Sequence, residues 1–269
     1  MSATATAGAP GADERQNERR RSSVTIGAGA AYVPTYEGSD DHRIVPAAAA
    51  RGNVGGVEFF TRGLQLYVDV IPDRSEDGIE LSLGPVVGVR RNRTGGSLKD
   101  DQVEALGKLK TAIEVGGFVG VSKTGVVTSN YDTLSARIAY VKDVGNAHES
   151  HVITPSINYA TPLSPATLVG IGASLDLVGD GYADYYFSVP HSGAVASGLS
   201  PFSAEGGAKN WSLSIYAAQS LTGDLRRGAA LFVGGSYSRL RGDFRRSPVV
   251  SEAGDAKQFL LAAGLGYTF

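Results

Sequence analysis

Four histidines supply most of the acid–base and metal-binding chemistry in this sequence. They are His42, His148, His151 and His191. His42 follows two aspartates, and a carboxylate beside an imidazole can activate water or a serine hydroxyl. The same stretch begins Gly38-Ser39-Asp40, residue types that satisfy backbone donors in a tight turn, and a turn is the interpretation that we favour. Serine catalysis has no supporting motif, because Gly-x-Ser-x-Gly is absent.

A metal site is the second chemical possibility. His148, Glu149 and His151 offer two imidazoles and a carboxylate, but residues three apart on a strand point to opposite faces. We therefore interpret this segment as a polar extracellular turn. Acidic loop residues could hold a divalent cation, although their spacing is not that of a calcium loop: Asp40, Asp41, Asp180 and Asp184. The sequence predicts no catalytic residue, metal or cofactor.

A set of polar residues occupies alternate positions of segments that are otherwise apolar. Such side chains point to one side of a strand, here toward the interior of a closed sheet. Charges there can pair with one another and plug a narrow barrel, or line a water-filled path that selects solutes. We favour a paired, largely closed interior and keep the narrow pore as the alternative. The inward residues are Glu80, Arg90, Glu114, Arg137, Asn158, Asp176 and Tyr216.

The elements that must position these residues are strands. A period of two recurs along the chain and is interrupted by turn residues, which predicts an antiparallel meander. We predict an all-β, closed transmembrane β-barrel of about twelve strands, or ten if the short early segments merge. The segments are residues 24–32, 42–53, 57–60, 64–70, 79–90, 112–121, 134–143, 153–159, 169–177, 211–218, 231–238 and 259–269.

The last segment carries the strongest pattern. Counting back in twos from the final residue gives an unbroken apolar face with aromatic residues at both ends, whereas the other face is mostly small or polar. This is the pattern of a strand with lipid on one side and a lumen on the other. We predict that Leu265, Tyr267 and Phe269 form a C-terminal signal for the barrel-assembly machinery.

Composition agrees with a barrel and excludes other classes. The 269 residues include 36 Gly and no Cys, and no apolar run reaches the length of a transmembrane helix. The absence of Cys excludes disulfides and thiolate metal sites. The 25 basic and 27 acidic residues give a net charge of -2, so we expect no nucleic-acid partner.

The connections between strands are sorted by length. With both termini placed in the periplasm, the turns on that side are short: residues 55–56, 72–78, 123–130, 162–166 and 222–228. The opposite side holds the long segments 91–110, 179–210 and 241–257. This asymmetry is typical of outer-membrane barrels. Within the first long loop, Val103, Leu106 and Leu109 have helical spacing and predict one short helix.

The longest loop is rich in aromatic residues among glycines and serines. Such a loop can fold inward as a lid or present aromatic anchors to a partner. We favour a capping loop that packs on the barrel rim. Its candidate residues are Tyr182, Tyr185, Tyr186 and Phe187.

The first 23 residues differ from the rest. They combine an Ala/Thr/Gly/Pro stretch with a charged stretch, and they lack the apolar core of a signal peptide. We predict that residues 1–23 form a disordered tail and that residues 24–269 form the barrel. Since an exported protein needs a signal, we expect this chain to be a mature or truncated form, or to start further upstream.

Several short motifs, taken in order, resemble those of the MipA/OmpV family over residues 24–269. They are Pro-Thr-Tyr-Glu-Gly-Ser-Asp at 34–40, Gly84-Pro85, Asp-Tyr-Tyr-Phe-Ser-Val at 184–189, Ser-Gly-Leu at 197–199, Ser-Pro-Val-Val at 247–250, and the end of the chain at 264–269. The resemblance implies a protein of the outer membrane of Gram-negative bacteria, in contact with its lipid. It also implies a scaffold for a lytic transglycosylase and a penicillin-binding protein in murein growth, while other members are regarded as porin-like. A scaffold is the predicted function, and a narrow porin-like channel for small solutes is the alternative.

Overall fold

The computed structural model describes residues 22–71, 78–95 and 98–269. Residues 1–21, most of the predicted tail, lie outside the described residues, as do residues 72–77 of one predicted turn and residues 96–97 of a predicted loop.

Twelve antiparallel strands form one closed barrel, in which each strand pairs with its neighbours in sequence and the first pairs with the last. This confirms the twelve-strand prediction, and the ten-strand alternative is wrong. The strands are β1 (Ser23–Pro34), β2 (His42–Val54), β3 (Val57–Arg62), β4 (Gln65–Asp69), β5 (Ile79–Arg90), β6 (Ala112–Thr124), β7 (Thr133–Asp143), β8 (His151–Ser164), β9 (Thr167–Val178), β10 (Gly207–Ser220), β11 (Gly228–Leu240) and β12 (Lys257–Thr268).

The seam between β1 and β12 closes the barrel. Ile26 pairs with Tyr267, and the hydroxyls of Thr25 and Thr268 are 2.8 Å apart. The backbone N–H of Phe269 then donates to the carbonyl of Val24 at 2.9 Å. The facing edges of the first and last strands are thus hydrogen-bonded to one another, as a barrel in lipid requires.

The alternation of side chains gives the barrel an apolar outer surface. Outward residues such as Ile215, Leu261 and Leu265 are more than half exposed. A continuous band of this kind would be unfavourable in water but suits contact with lipid tails. The predicted C-terminal signal residues Leu265, Tyr267 and Phe269 are also exposed on this surface.

The two rims differ as predicted. On the rim that carries both termini, the connections of the described residues are the turns 55–56, 125–132, 165–166 and 221–227. The opposite rim carries the long loops 91–111, 179–206 and 241–256, besides short connections. The sorting of loops by length is therefore confirmed.

Five short helices lie in the long loops. They are α1 (Asp101–Ala105), α2 (Asp180–Phe187), α3 (His191–Ser197), α4 (Gly242–Arg246) and α5 (Pro248–Ser251). The first confirms the predicted helix, and Asp100 caps it by accepting the N–H of Val103 at 2.7 Å. Within the described part of the chain, no helix has the length and apolar character needed to cross a membrane.

Helix α2, which we call the plug helix, fills the extracellular mouth of the barrel. Its buried residues Tyr182, Tyr186 and Phe187 join one core with wall residues such as Tyr67 and Phe118. A second apolar layer lies among the loops and contains Tyr36, Leu98, Val103, Val189, Leu199, Val249 and Ala253. The mouth is thus closed by packed side chains rather than by a loose loop.

The turn between β6 and β7 folds around one carboxylate. Asp132 accepts backbone N–H groups from Val126 at 2.6 Å and Val127 at 2.9 Å, and the hydroxyl of Tyr159 at 2.8 Å. Desolvation raises the pKa of Asp132, but these donors and the N–H of Thr128 outweigh it and hold the pKa well below its usual range. The turn is therefore organised by an ionised side chain.

Replacing this carboxylate should loosen the turn. Because the folded pKa of Asp132 is lowered, its stabilisation is complete above the unfolded pKa of about 3.9 and is lost as the pH falls through the folded value. Amide hydrogen exchange at residues 125–132 should be faster in Asp132→Asn than in the wild type at pH 7. Asp224→Asn, in the turn 221–227, should leave these amides unchanged. Equal protection of the turn in Asp132→Asn and wild type would contradict the prediction.

Candidate functional site: the plugged lumen

A buried lysine ties the plug helix to the barrel wall. Lys209 lies where the register of β10 against β9 shifts between Ala208 and Asn210. The extra residue of this β-bulge turns inward, so the Lys209 ammonium pairs with Glu37 and lies 3.5 Å from Asp176. It is only 2% exposed.

Tyr182 of the plug helix completes this cluster. Its hydroxyl donates to Oε2 of Glu37 at 2.7 Å and accepts from Nζ of Lys209 at 3.2 Å. Burial raises the pKa of Tyr182, and the nearby positive charge of Arg90 lowers it only in part. The phenol therefore stays neutral and can keep both hydrogen bonds at physiological pH.

A second ion pair lies on the other side of the plug helix. Nε of Arg90 donates to Oε1 of Glu114 at 2.7 Å, and a second guanidinium nitrogen donates to Oε2 at 3.2 Å. Glu114 is 1% exposed and also accepts from Gln65 at 3.1 Å. Nε2 of His148 lies 3.4 Å from the same carboxylate. The fork-like Arg90–Glu114 geometry is the strong form of such a pair.

The ring of Tyr182 lies between the two clusters. The Arg90 guanidinium carbon is 5.3 Å from its centroid, and the Lys209 ammonium is 5.1 Å from it. His148 packs edge-on against the same ring, with centroids 5.1 Å apart. Two cations near one aromatic ring stabilise the plug helix through the ring as well as through hydrogen bonds.

Arg137 has a different environment, nearer the centre of the lumen. Its guanidinium carbon is 4.5 Å from the ring centroid of Phe60, 5.2 Å from Phe118 and 5.8 Å from Tyr67. Its Nε is buried, and no described residue hydrogen-bonds to it. Arg137 thus lies among aromatic rings instead of in an ion pair.

The structure brings together only some of the predicted inward residues. Arg90 and Glu114 form one ion pair, and Asp176 joins the Lys209 cluster. Asn158 and Tyr216 lie further toward the periplasm, where glycines on β9 make room for them. Glu80 pairs in register with Ser122 near the same end. The predicted set is therefore split between the plugged mouth and the lower lumen.

The predicted loop aromatics point into the molecule. Tyr182, Tyr186 and Phe187 are at most 1% exposed. Tyr185 is partly buried, and its hydroxyl accepts the backbone N–H of Lys110 at 2.8 Å. The loop lies inside the mouth. Its position agrees with the inward lid and not with the capping loop on the rim that we favoured from the sequence.

The histidines do not gather into one site. His148 lies in the turn 144–150 between β7 and β8, as interpreted from the sequence, but its side chain is buried against Glu114. His151 instead stacks on Tyr140, with ring centroids 5.8 Å apart. Nδ1 of His42 lies 3.2 Å from the carbonyl oxygen of Asp40. Among the described residues, no group of three or more acidic, histidine or cysteine side chains could hold a metal ion.

Almost the whole chain matches one protein family. The model of the family described as MltA-interacting protein MipA matches residues 26–269. The chain belongs to this family. The MipA match covers the barrel and its loops, and it confirms the resemblance seen in the sequence.

The solved structures that match the chain include outer-membrane channels. The channel DcaP of Acinetobacter baumannii is 9% identical, with 93% of this chain and 96% of that chain covered and a TM-score of 0.43. An outer membrane channel from Pseudomonas putida F1 is 9% identical, with 92% and 95% covered and a TM-score of 0.44. The anion-selective porin from Comamonas acidovorans is 11% identical, with 93% and 99% covered and a TM-score of 0.39. No curated protein matches the chain.

The location of this MipA family member follows from its family and fold. It is a β-barrel protein of the outer membrane of a Gram-negative bacterium. Its apolar outer band contacts lipid, its short turns face the periplasm, and its plugged mouth faces the exterior.

Proposed function

We propose that this protein is a non-enzymatic outer-membrane scaffold that holds a lytic transglycosylase and a penicillin-binding protein at the periplasmic face. The plugged extracellular mouth carries this proposal. Since the ion-paired plug helix packs into that mouth, the periplasmic turns are the surface through which we expect the barrel to act. The description of the MipA family by an interaction with MltA supports a role in binding another protein.

The turn between β6 and β7 is the best candidate for the docking contact. Val127 is 70% exposed and Tyr131 is 77% exposed, although both lie in a turn organised by Asp132. A rigid turn that presents an aromatic and an aliphatic side chain costs little entropy to bind, and tyrosine is frequent at binding hot spots.

Co-purification from native membranes tests the scaffold. We expect the wild-type barrel to retain a lytic transglycosylase, and the double variant Val127→Ala/Tyr131→Ala to retain at least about tenfold less, as for loss of a hot spot. Val195→Ala is the matched control, because Val195 is 88% exposed on the opposite rim. Failure of the wild type to retain any lytic transglycosylase would refute the scaffold.

A narrow channel is the second candidate, favoured by the lumen below the plug helix. Arg51 is exposed at an inward position, and inward Leu260 is 38% exposed, so this part of the lumen has room for water. If the protein is a channel, the wild type should give discrete current steps in a planar lipid bilayer, altered by neutralising Arg90 or Arg137. A silent membrane from folded protein would exclude the channel and favour the scaffold.

We also propose that the barrel-assembly machinery recognises the apolar face of β12. Leu265, Tyr267 and Phe269 point outward and line one side of the closing strand. The three residues are thus available to a partner before the seam with β1 forms.

A further inference from the structure

Two arginines of the lower lumen form no ion pair with a carboxylate of the described residues. Arg62 ends β3, and Arg137 lies in β7 at an inward position. The ion pairs found among the described residues include neither of them. The partly buried charge of Arg137 is costly unless an anion compensates it.

Several hydrogen-bonding groups around these arginines are available. Nε of Arg137 and Oγ of Ser156 are both buried without a partner among the described residues, and the two residues are paired in register on β7 and β8. Arg62 makes one hydrogen bond, from a terminal nitrogen to Oγ of Ser174 at 3.2 Å. A guanidinium has five N–H donors, so most of those on Arg62 remain available.

Two carboxylates of the lumen, those of Asp69 and Asp176, already have other partners. Oδ1 of Asp69 accepts the backbone N–H groups of Ile71 at 3.0 Å and Leu83 at 3.1 Å. Asp176 accepts the hydroxyl of Thr154 at 2.8 Å and lies 3.5 Å from the Lys209 ammonium. Both carboxylates are thus partly satisfied by groups of the wall and the plugged mouth.

The aromatic rings fix Arg137 without neutralising it. Phe60 and Tyr67 stack with centroids 4.9 Å apart, and Phe118 meets Tyr67 edge-on at 5.4 Å. The guanidinium lies against this group, which limits its rotation and lowers the entropy lost when it binds a ligand.

We propose that Arg62 and Arg137, with the hydroxyls of Ser156 and Ser174, form a binding site for a small oxyanion in the lumen. Planar guanidiniums bind carboxylate and phosphate through paired N–H donors, and the two serines add neutral donors. The ligand enters from the periplasmic end, since the plug helix closes the other. The site does not depend on the scaffold or the channel proposal.

Titration calorimetry on the barrel refolded in detergent tests the site. Sodium acetate and inorganic phosphate are titrated separately at constant ionic strength, so that the two arms distinguish a carboxylate ligand from a phosphate ligand. We expect one of them to bind the wild type. Arg62→Gln and Arg137→Gln should each weaken binding by at least about tenfold, the loss of one charge-assisted contact. Arg245→Gln, an exposed arginine in α4, should stay within about twofold of the wild type.

A lysine variant distinguishes the loss of the paired guanidinium donors from a failure to fold. Arg62→Lys keeps the charge but not the paired donors, so its affinity should fall between those of the wild type and Arg62→Gln. Arg62 is exposed and makes a single hydrogen bond, so its variants should fold even if Arg137→Gln does not. The proposal is overturned if neither anion binds the wild type, or if Arg62→Gln binds as tightly as the wild type does.

Discussion

Lys209→Met should release the plug helix and allow ions to cross the barrel. The substitution keeps most of the side-chain volume but leaves the carboxylates of Glu37 and Asp176 without their cation. Removing one partner of a buried ion pair costs about 3–5 kcal/mol. The loss should destabilise the plug helix most directly, because Tyr182 of this helix and Lys209 both bind Glu37. In planar bilayers, Lys209→Met should show current steps that are absent or much rarer in the wild type.

Two further variants show whether the effect comes from the buried charge. Lys257→Met removes an exposed lysine at the start of β12 and should behave like the wild type. Adding Glu37→Gln to Lys209→Met removes one orphaned carboxylate, so the double variant should be more stable than the sum of the single variants predicts. If Lys209→Met matches the wild type in both conductance and urea unfolding, the lysine does not hold the plug helix.

Gly116→Ala should prevent a large fraction of the chain from forming a closed barrel. Gly116 is an inward residue of β6 that pairs with Val141 of β7. A Cβ atom there would overlap the carbonyl oxygen of Tyr140 and lie 2.7 Å from the Cα atom of Val141. Because both are backbone atoms, the strands themselves must move apart. We expect the free energy of unfolding to fall by at least about 3 kcal/mol, at the upper end of the usual cost of overpacking.

A glycine in a roomier part of the barrel provides the control. At Gly27 of β1, a Cβ atom would lie no closer than 3.5 Å to any atom outside its immediate neighbours. Gly27→Ala should therefore refold as the wild type does. The folded fraction is measured from the heat-dependent shift in gel mobility, and the free energy of unfolding from urea titration. Similar unfolding curves for Gly116→Ala and Gly27→Ala would show that the close approach at β7 is unimportant.

The strands and the loop sorting were predictable because each depends on local sequence. Inward and outward positions alternate without interruption in strands such as β5, β7 and β12, and the turn residues between them mark the connections. Arg90 and Glu114 were predicted as inward residues for the same reason, and their register on β5 and β6 places them close together.

Lys209 was missed because the β-bulge breaks the alternation. Counted in twos from Trp211, it belongs to the outward face with Leu213 and Ile215, and only the register shift at Ala208 turns it inward. A signal was present, since a lysine among residues that face lipid is unfavourable and should have suggested an irregular strand. The preceding Gly206-Gly207 pair was a second indication of an irregular strand.

Glu37 and His148 could not have been placed from the sequence. Both lie in connections, where no period relates position to direction. Their partners Tyr182, Lys209 and Glu114 are 34 or more positions away in the chain. The contacts exist because the plug helix folds into the mouth, which is a tertiary event that local sequence does not encode.

The seam between β1 and β12 has a consequence for the order of events during biogenesis. Thr25 and Thr268 are separated by 243 positions, so the seam can form only after the whole chain is present. The entropy of joining such distant ends rises slowly, by about 0.6 kcal/mol for each doubling of the intervening length. Slow closure carries the greater risk, because the unpaired edges of β1 and β12 can pair with a strand of another protein until they pair with each other. Glycines on both sides, at positions 27, 29, 264 and 266, leave few side chains to interlock, which favours rapid zippering of the final pair.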